Sequence, residues 1–234
     1  MRILYLKNSP LDNVQPFFLW AQQYGVSVNC IDIHDAIDWP AHDSYNLLVV
    51  GDGPMHVCEA NIYPWILSEK NFIAEAVAQN KAILAICFGA QLVAEQLGSR
   101  VTKKDVRSLG WNQAKKTPAL LTLNPFFRLP QFFDVYEHSN AIIELPKNAV
   151  HLAQINGNEN AAFIVNQKQI CIQFHLNNKP SCTKSNFESV PSKLHNSTTF
   201  SSSNSVDIET AFSRLMESIK QMVRTEESRL WKNY

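Results

Sequence analysis

A cysteine between an apolar run and an amphipathic segment is the first feature of this sequence that could do chemistry. Cys87 follows Ala82–Ile86, a run whose length suits one buried parallel strand, and it precedes a stretch with the apolar spacing of a helix. Ala85 and Gly89 put small residues two positions before and after it, as a nucleophile on a sharp strand-to-helix turn requires. Such a turn exposes the sulfur, and the helix N-terminus favours the thiolate. The alternative is a buried structural cysteine at a strand end.

A glycine-containing loop could supply the groups that stabilise an oxyanion. Gly51–Pro54 follows a predicted strand, Tyr45–Val50. Because loops at the carboxyl ends of adjacent parallel strands share one crevice, this loop should lie beside Cys87. With two glycines, including Gly53, the backbone can turn its N–H groups outward, where they could act together with the N–H of Phe88. A plain Gly-Pro turn is the alternative interpretation.

A histidine at the end of a predicted strand could serve as the base. His175 follows the β-like segment 169–174. A cysteine nucleophile uses an imidazole to take its proton and then to protonate the leaving amine. Taken alone, His175 has no stronger claim to this role than the other six histidines of the chain. The fold must therefore bring it to Cys87.

The elements that would position these residues alternate between strands and helices. The strands predicted over the first 98 residues are 2–7, 26–32, 45–50 and 82–86, and the helices are 14–24, 63–80 and 90–97. This order is typical of a doubly wound, mostly parallel α/β sheet with helices on both faces, as in flavodoxin-like folds. Short β-like segments between residues 100 and 174 predict a smaller antiparallel region packed onto the first sheet.

The end of the chain changes in composition. Residues 178–205 are rich in Ser, Asn and Thr and predict a long surface loop. Residues 207–224 then have the spacing of an amphipathic helix that begins at Asp207. Since no break in composition demands two domains, we expect residues 1–234 to form a single domain.

Composition and charge limit the classes of partner that this chain is expected to bind. The chain has 234 residues, equal numbers of acidic and basic side chains and 45% hydrophobic residues, which argues against nucleic acid as a partner. No apolar run approaches the roughly 20 residues that a membrane helix needs, and the first residues predict a strand rather than a signal peptide. The five cysteines are odd in number and form no CxxC pair, which fits a reducing compartment. We expect a cytoplasmic protein without a membrane partner.

A metal site is the other chemistry that the sequence raises. His56 and Cys58 alternate on one short segment and could contribute two ligands. Two ligands without a second pair are a weak signal, because structural sites use four and catalytic sites three. We therefore predict neither a metal ion nor another cofactor.

Together the three stretches resemble the class I glutamine amidotransferases, and most closely the free-standing members similar to the glutaminase domain of GMP synthase. The resemblance covers about residues 45–175 of the chain. The matching segments are Gly51–Met55, Cys87–Gln91, Leu109–Trp111, His138–Asn140, Leu145–Pro146, Leu152–Ala153 and Gln173–His175. Several segments in the family's order are far more specific than any one of them.

The resemblance implies an enzyme that cleaves the side-chain amide of glutamine, or another γ-glutamyl amide, through a thioester and releases ammonia or an amine. It implies that Cys87 is the nucleophile, that His175 is the general base and acid, and that Phe88 and Gly53 form the oxyanion hole. The implied substrate contacts are Gln91, His138, Ser139 and Asn140. A small-molecule substrate and a separate synthetase or acceptor subunit are the implied partners, since no synthetase domain fits within 234 residues.

The sequence departs from the family pattern just after the histidine. The family has Pro and then Glu, which orients the imidazole, whereas this chain has Leu176 and Asn177. Asparagine for the orienting aspartate costs roughly 10⁴ in a serine protease, yet Cys-His-Asn proteases use an asparagine productively. Asn177 therefore preserves the catalytic triad, impairs it, or is bypassed by Glu137 or Glu188. An impaired triad would indicate a binding or regulatory protein. Asn140 also replaces a family aspartate, which favours a substrate other than free glutamine.

Overall fold

Nine strands and four helices form the part of the chain that the computed structural model describes, residues 1–35, 38–118, 124–155, 158–176 and 208–230. The strands are β1 (Arg2–Lys7), β2 (Ser27–Asp32), β3 (Leu47–Val50), β4 (Ala82–Ile86), β5 (Val101–Lys116), β6 (Phe132–Ile143), β7 (Val150–Ile155), β8 (Asn158–Val165) and β9 (Gln169–Ile172). The helices are α1 (Gln15–Gln23), α2 (Trp65–Ala78), α3 (Phe88–Gln96) and α4 (Ile208–Leu230).

All nine strands belong to one sheet, in the order β2-β1-β3-β4-β9-β8-β7-β5-β6. The first five of these are parallel to one another, as a doubly wound fold requires. Strand β4 lies between β3 and β9 and is buried along its whole length, which explains its unbroken apolar sequence. The carboxyl ends of β3, β4 and β9 lie side by side at one edge of the sheet. The glycine-containing loop, Cys87 and His175 follow these three strands.

Helices pack on both faces of the sheet. Alternate residues of each strand point to opposite faces, so both faces carry apolar side chains that the helices cover. On one face, the ring of Tyr5 meets Phe17 of α1 edge to face, with 5.0 Å between centroids, and Phe17 meets Phe212 of α4 in the same way. On the other face, Leu6 and Phe72 of α2 belong to a second buried cluster. Each such side chain contributes about 1.5–3 kcal/mol by leaving water. The doubly wound architecture predicted from the sequence is confirmed.

The antiparallel region differs from its prediction in one respect. It continues the same sheet rather than packing onto it, because β9 pairs in parallel with β4 on one edge and antiparallel with β8 on the other. The predicted segments 100–103 and 111–115 are the two ends of a single strand, β5, with an irregular register between Lys103 and Ser108.

Strands β5 and β6 form a long ribbon that reaches over the carboxyl edge of the parallel strands. Within the described part of the chain, two ladder pairs join it to β7, Lys115 with Gln154 and Lys116 with Ala153. Farther along, the Tyr136 and His175 backbones exchange hydrogen bonds of 2.8 and 3.2 Å. The ribbon therefore places residues of β6 above the elbow.

The C-terminal helix begins close to its predicted start. Helix α4 spans Ile208–Leu230 and ends six residues beyond the predicted boundary at 224. Asp207 and the predicted loop 178–205 lie outside the described residues. Within the described ranges, no helix combines the length and apolar character needed to span a membrane.

Candidate active site

Cys87 occupies a strained turn between β4 and α3. Its φ of 50° and ψ of −103° are rare for a residue with a side chain and cost on the order of 1–3 kcal/mol. The Cys87 N–H donates to the Ile172 carbonyl at 2.8 Å, which ties the turn to β9. The strand-to-helix elbow expected from the small neighbours is present.

Gly89 makes this turn possible. Its N–H donates to the Gly51 carbonyl at 3.1 Å. A Cβ at Gly89 would collide with the Val50 carbonyl oxygen and lie 2.8 Å from that of Gly51. Helix α3 can therefore approach the end of β3 only where residue 89 has no side chain.

Gly89→Ala should consequently destabilise the protein by about 2–3 kcal/mol, because backbone rather than a flexible side chain fills the space. Urea unfolding of the two proteins measures this difference. Helix propensity alone predicts the opposite sign, a gain of up to about 1 kcal/mol. A variant as stable as the wild type would show that the close contact is absent.

The predicted exposure of the sulfur is wrong, because Cys87 is only 4% exposed and its thiol donates to the His138 carbonyl oxygen, 3.1 Å from Sγ. Burial and the Asp52 carboxylate hold the pKa of the Cys87 thiol well above its usual range. The expected effect of the helix N-terminus does not prevail in this arrangement. Burial and the neighbouring carboxylate favour the neutral thiol.

His175 lies next to this thiol. Its backbone is hydrogen-bonded to that of Tyr136 in β6, and the residue is 3% exposed. A ring nitrogen of His175, the Sγ of Cys87 and a carboxylate oxygen of Asp52 all lie within 4.8 Å of one another. The fold therefore brings the candidate nucleophile and the candidate base together from β4 and β9.

Asp52 is a site residue that the sequence reasoning did not single out. Its Oδ1 accepts the Phe88 N–H at 3.2 Å, and its Oδ2 lies 3.4 Å from Nε2 of His175. A signal existed, because the acidic residue follows the strand adjacent to the one that carries Cys87. The glycines of this loop predicted only backbone N–H groups at the site.

The other carboxylates proposed as substitutes for residue 177 are placed differently. Glu137 accepts a hydrogen bond from Asn112 at 3.1 Å and pairs with Lys104 at 3.7 Å. Glu188 and Asn177 lie outside the described residues. The carboxylate that the structure places beside the His175 ring is that of Asp52.

A buried polar network holds the glycine-containing loop. The Asn8 amide donates to the Gly51 carbonyl at 3.0 Å, and the Asp12 carboxylate accepts the Tyr5 hydroxyl at 2.9 Å and the backbone N–H of Asp52. A Cβ at Gly51 would lie 2.7 Å from the Leu6 carbonyl oxygen. Side chains of β1 and of the segment that follows it therefore hold the loop in place.

Glu69 of α2 lies beside Asn8, and burial raises the pKa of its carboxyl from the ordinary 4.5 to about 8. The folded protein therefore binds this proton more tightly than the unfolded chain, so stability should fall as pH rises from about 4.5 to about 8. Glu69→Gln keeps the shape and removes the ionisation. At about pH 8 it should raise the free energy of unfolding by about 2–4 kcal/mol. Denaturant titrations across this range provide the measurement.

The control for this prediction is Glu144→Gln, which changes an exposed glutamate and should leave the pH dependence of stability unchanged. If the stability of Glu69→Gln followed the wild-type pH curve in parallel, the buried carboxyl would not be the titrating group.

Gln91 and Asn140 lie at the site and bond to its main chain. Gln91 Oε1 accepts the Val57 N–H at 3.2 Å, and its amide group donates to Asn140 Oδ1 at 3.1 Å. Asn140 Nδ2 in turn lies 3.4 Å from the Met55 carbonyl oxygen. Together they tie the loop after Gly53 to strand β6.

A cavity adjoins the thiol and, in this structure, is too narrow to admit a water molecule. Its lining residues are Gly53, Pro54, Cys87, Arg107, His138 and Asn140.

Burial lowers the pKa of His138, which favours the neutral imidazole. Ser139 is 2% exposed and its hydroxyl lies 3.3 Å from the Ala141 carbonyl oxygen. Arg107, which the sequence reasoning did not predict, donates to the Pro54 carbonyl at 3.3 Å.

Two groups of side chains could offer metal ligands. Asp52, Cys87 and His175 bring three donor atoms together, but two of these atoms are the nucleophile and base considered above. His56 and Cys58 lie 3.0 Å apart between Nδ1 and Sγ, and supply only two donors.

Several known proteins are similar in sequence to this chain. The family model described as "Glutamine amidotransferase class-I" matches residues 19–189. A GMP synthase [glutamine-hydrolyzing] of Christiangramia forsetii is 38% identical over 96 residues, which are 40% of this chain and 18% of that protein. Gamma-glutamyl peptidase 4 of Arabidopsis thaliana is 29% identical over 125 residues, 47% of this chain and 46% of that one. The chain spans less than half the length of the curated relatives it matches.

A solved structure gives the same architecture. The crystal structure of a glutamine amidotransferase from Thermotoga maritima superposes with a TM-score of 0.78 at 20% sequence identity. The match covers 95% of this chain and 98% of that one. At this level of identity the similarity concerns the fold.

Proposed function

Because this chain belongs to the class I glutamine amidotransferase family, we propose that it hydrolyses a γ-glutamyl amide through a thioester on Cys87. The observation that carries the proposal is the grouping of the Cys87 sulfur with a His175 ring nitrogen, within 4.8 Å at the carboxyl edge of the parallel strands. Phe88, whose N–H would donate to the oxyanion, is the first residue of α3, the helix that follows the same elbow.

In the proposed reaction, His175 takes the Cys87 proton and the sulfur attacks the γ-carbonyl carbon of the substrate. The tetrahedral oxyanion accepts hydrogen bonds from the Phe88 N–H and from the loop at Gly53. His175 then gives its proton to the leaving nitrogen, and the C–N bond breaks to release ammonia or an amine. Water, deprotonated by His175, attacks the γ-glutamyl thioester, and the carboxylate product and the thiol are formed.

We propose that the substrate is held by Gln91, His138, Ser139 and Asn140. Asn140 lies on the cavity wall and is neutral where the resembling family has an aspartate. A neutral side chain recognises a substrate ammonium group less well than a carboxylate does. Glutamine and γ-glutamyl peptides carry the same α-ammonium group, so this difference does not choose between them, and it is the similarity to a γ-glutamyl peptidase that supports a γ-glutamyl peptide.

Two partners follow from the same reaction. If the released ammonia is used, a separate synthetase or acceptor subunit must receive it, and the similarity to part of a GMP synthase supports this arrangement. If the product is an amine, the chain acts alone. Because cysteines 30, 58, 87 and 171 are free, a reducing compartment such as the cytoplasm suits the proposed thiol chemistry.

A binding or regulatory role is the second candidate, and specific observations favour it. Asn177 replaces the family's glutamate. In addition, the Asp52 carboxylate accepts a hydrogen bond from the Phe88 N–H, the donor that an oxyanion would need. In this alternative the pocket binds a γ-glutamyl compound without turning it over.

Product release decides between the two candidates. The assay measures ammonia from glutamine and free amino acids from a series of γ-glutamyl dipeptides, with Cys87→Ser as the blank. We expect release above the blank for at least one γ-glutamyl dipeptide. Equal silence of both proteins across the series, with binding still detectable by calorimetry, would leave the binding role.

A further inference from the structure

The Asp52 carboxylate engages two groups that the proposed reaction needs. Its Oδ1 accepts the Phe88 N–H at 3.2 Å, and its Oδ2 lies 3.4 Å from Nε2 of His175. An oxygen of the same carboxylate lies within 4.8 Å of the Cys87 sulfur. One anion thus contacts the oxyanion donor and the base at the same time.

This is the position that the reacting carbonyl oxygen must take. An oxyanion donor acts only if it lies about 2.7–3.1 Å from the developing negative charge, and the Phe88 N–H already donates to Asp52. We infer that Asp52 is an internal competitor of the substrate, whose carboxylate must leave the Phe88 N–H before a substrate carbonyl can be activated there.

The loop presents Asp52 in this way by construction. The backbone N–H of Asp52 is held by the buried carboxylate of Asp12, and the Gly51 carbonyl accepts from Asn8 and Gly89. The peptide group that precedes the Asp52 Cα is therefore fixed at both its N–H and its carbonyl, and the side chain is left as the part that can rotate. Its side chain is 15% exposed, so a rotation toward solvent is open to it.

The same carboxylate opposes formation of the thiolate. Together with burial, the negative charge of Asp52 keeps the pKa of the Cys87 thiol high. Rotation of Asp52 away from the site would remove this repulsion just as the donor N–H becomes available. Substrate binding and activation of the nucleophile would thus be coupled through one side chain.

Removing the charge should therefore make Cys87 more reactive. The test compares wild type, Asp52→Asn and Asp52→Ala by the rate at which iodoacetamide alkylates Cys87, measured by peptide mass mapping so that Cys58 and Cys30 do not contribute. We expect an increase on the order of tenfold in both variants, because one unit of thiol pKa changes the thiolate fraction tenfold. Anionic iodoacetate should gain more than neutral iodoacetamide. Asp43→Asn, which changes an exposed aspartate, is the matched control and should leave both rates unchanged.

The kinetic arm rests on the proposed function. With a γ-glutamyl substrate, Asp52→Ala should lower KM several-fold and leave kcat within a factor of about three, because the competitor is lost and the chemistry is kept. A fall in kcat at saturating substrate would overturn the inference, since Asp52 would then be the charge partner of the His175 imidazolium. Unchanged or slower alkylation would also overturn it. If every variant is inactive but alkylation accelerates, the inference stands and the proposed hydrolysis fails.

Discussion

Cys87→Ser is expected to reduce turnover by roughly 10³-fold or more while the protein remains folded. The hydroxyl is a far weaker nucleophile than a thiolate at neutral pH, and because it is much less acidic than a thiol, His175 removes its proton far less readily. The serine hydroxyl can donate to the His138 carbonyl as the thiol does. The free energy of unfolding should therefore change by no more than about 1 kcal/mol.

Steady-state assays on the best γ-glutamyl dipeptide, together with a denaturant titration of both proteins, measure the two halves of this result. Cys171→Ser is the matched control, since Cys171 is buried in β9 opposite Ala85 and packs in the other buried cluster than Cys87 does. It should lose stability through its buried hydroxyl but keep its turnover. Full activity in Cys87→Ser would remove the cysteine from the chemistry.

His175→Gln is expected to lower kcat by about 10²–10⁴, the usual contribution of a positioned general acid and base. Glutamine fills similar space but cannot carry the proton from sulfur to the leaving nitrogen. The backbone hydrogen bonds that join residue 175 to Tyr136 do not depend on the side chain and should persist. The loss should therefore appear in kcat rather than in stability.

The comparison protein is His151→Gln, which changes a half-buried histidine of β7. Its kcat should match that of the wild type. A decrease in kcat below tenfold for His175→Gln would point to another proton carrier.

Much of the site could be predicted from local sequence. The buried strand, the small residues around Cys87 and the helix after it each require particular residue types, so the elbow follows from one continuous stretch. The resemblance to class I glutamine amidotransferases rests on the same kind of local segments, and the family model confirms it. The doubly wound architecture followed from the alternation of strands and helices.

The parts that escaped prediction depend on contacts between distant segments. Whether Asp52 points into the site is decided by its backbone, which Asp12 holds from a different loop. The path of the β5–β6 ribbon depends on two residue pairs with β7 and on the bridge to His175. Neither leaves a periodic signal in the sequence. Asn177 follows the histidine directly in sequence, whereas the carboxylate that the structure places beside the His175 imidazole belongs to Asp52, in a distant loop.

The most direct test of the proposed function is to trap the acyl-enzyme. The wild-type protein is mixed with its best γ-glutamyl substrate, quenched in acid within the first turnovers, and digested for mass spectrometry. We predict that one γ-glutamyl group is attached to the peptide that contains Cys87, and that the adduct is lost on treatment with hydroxylamine, as a thioester is. Turnover without an adduct on Cys87, or with an adduct on another residue, would contradict the central claim that this sulfur forms the intermediate.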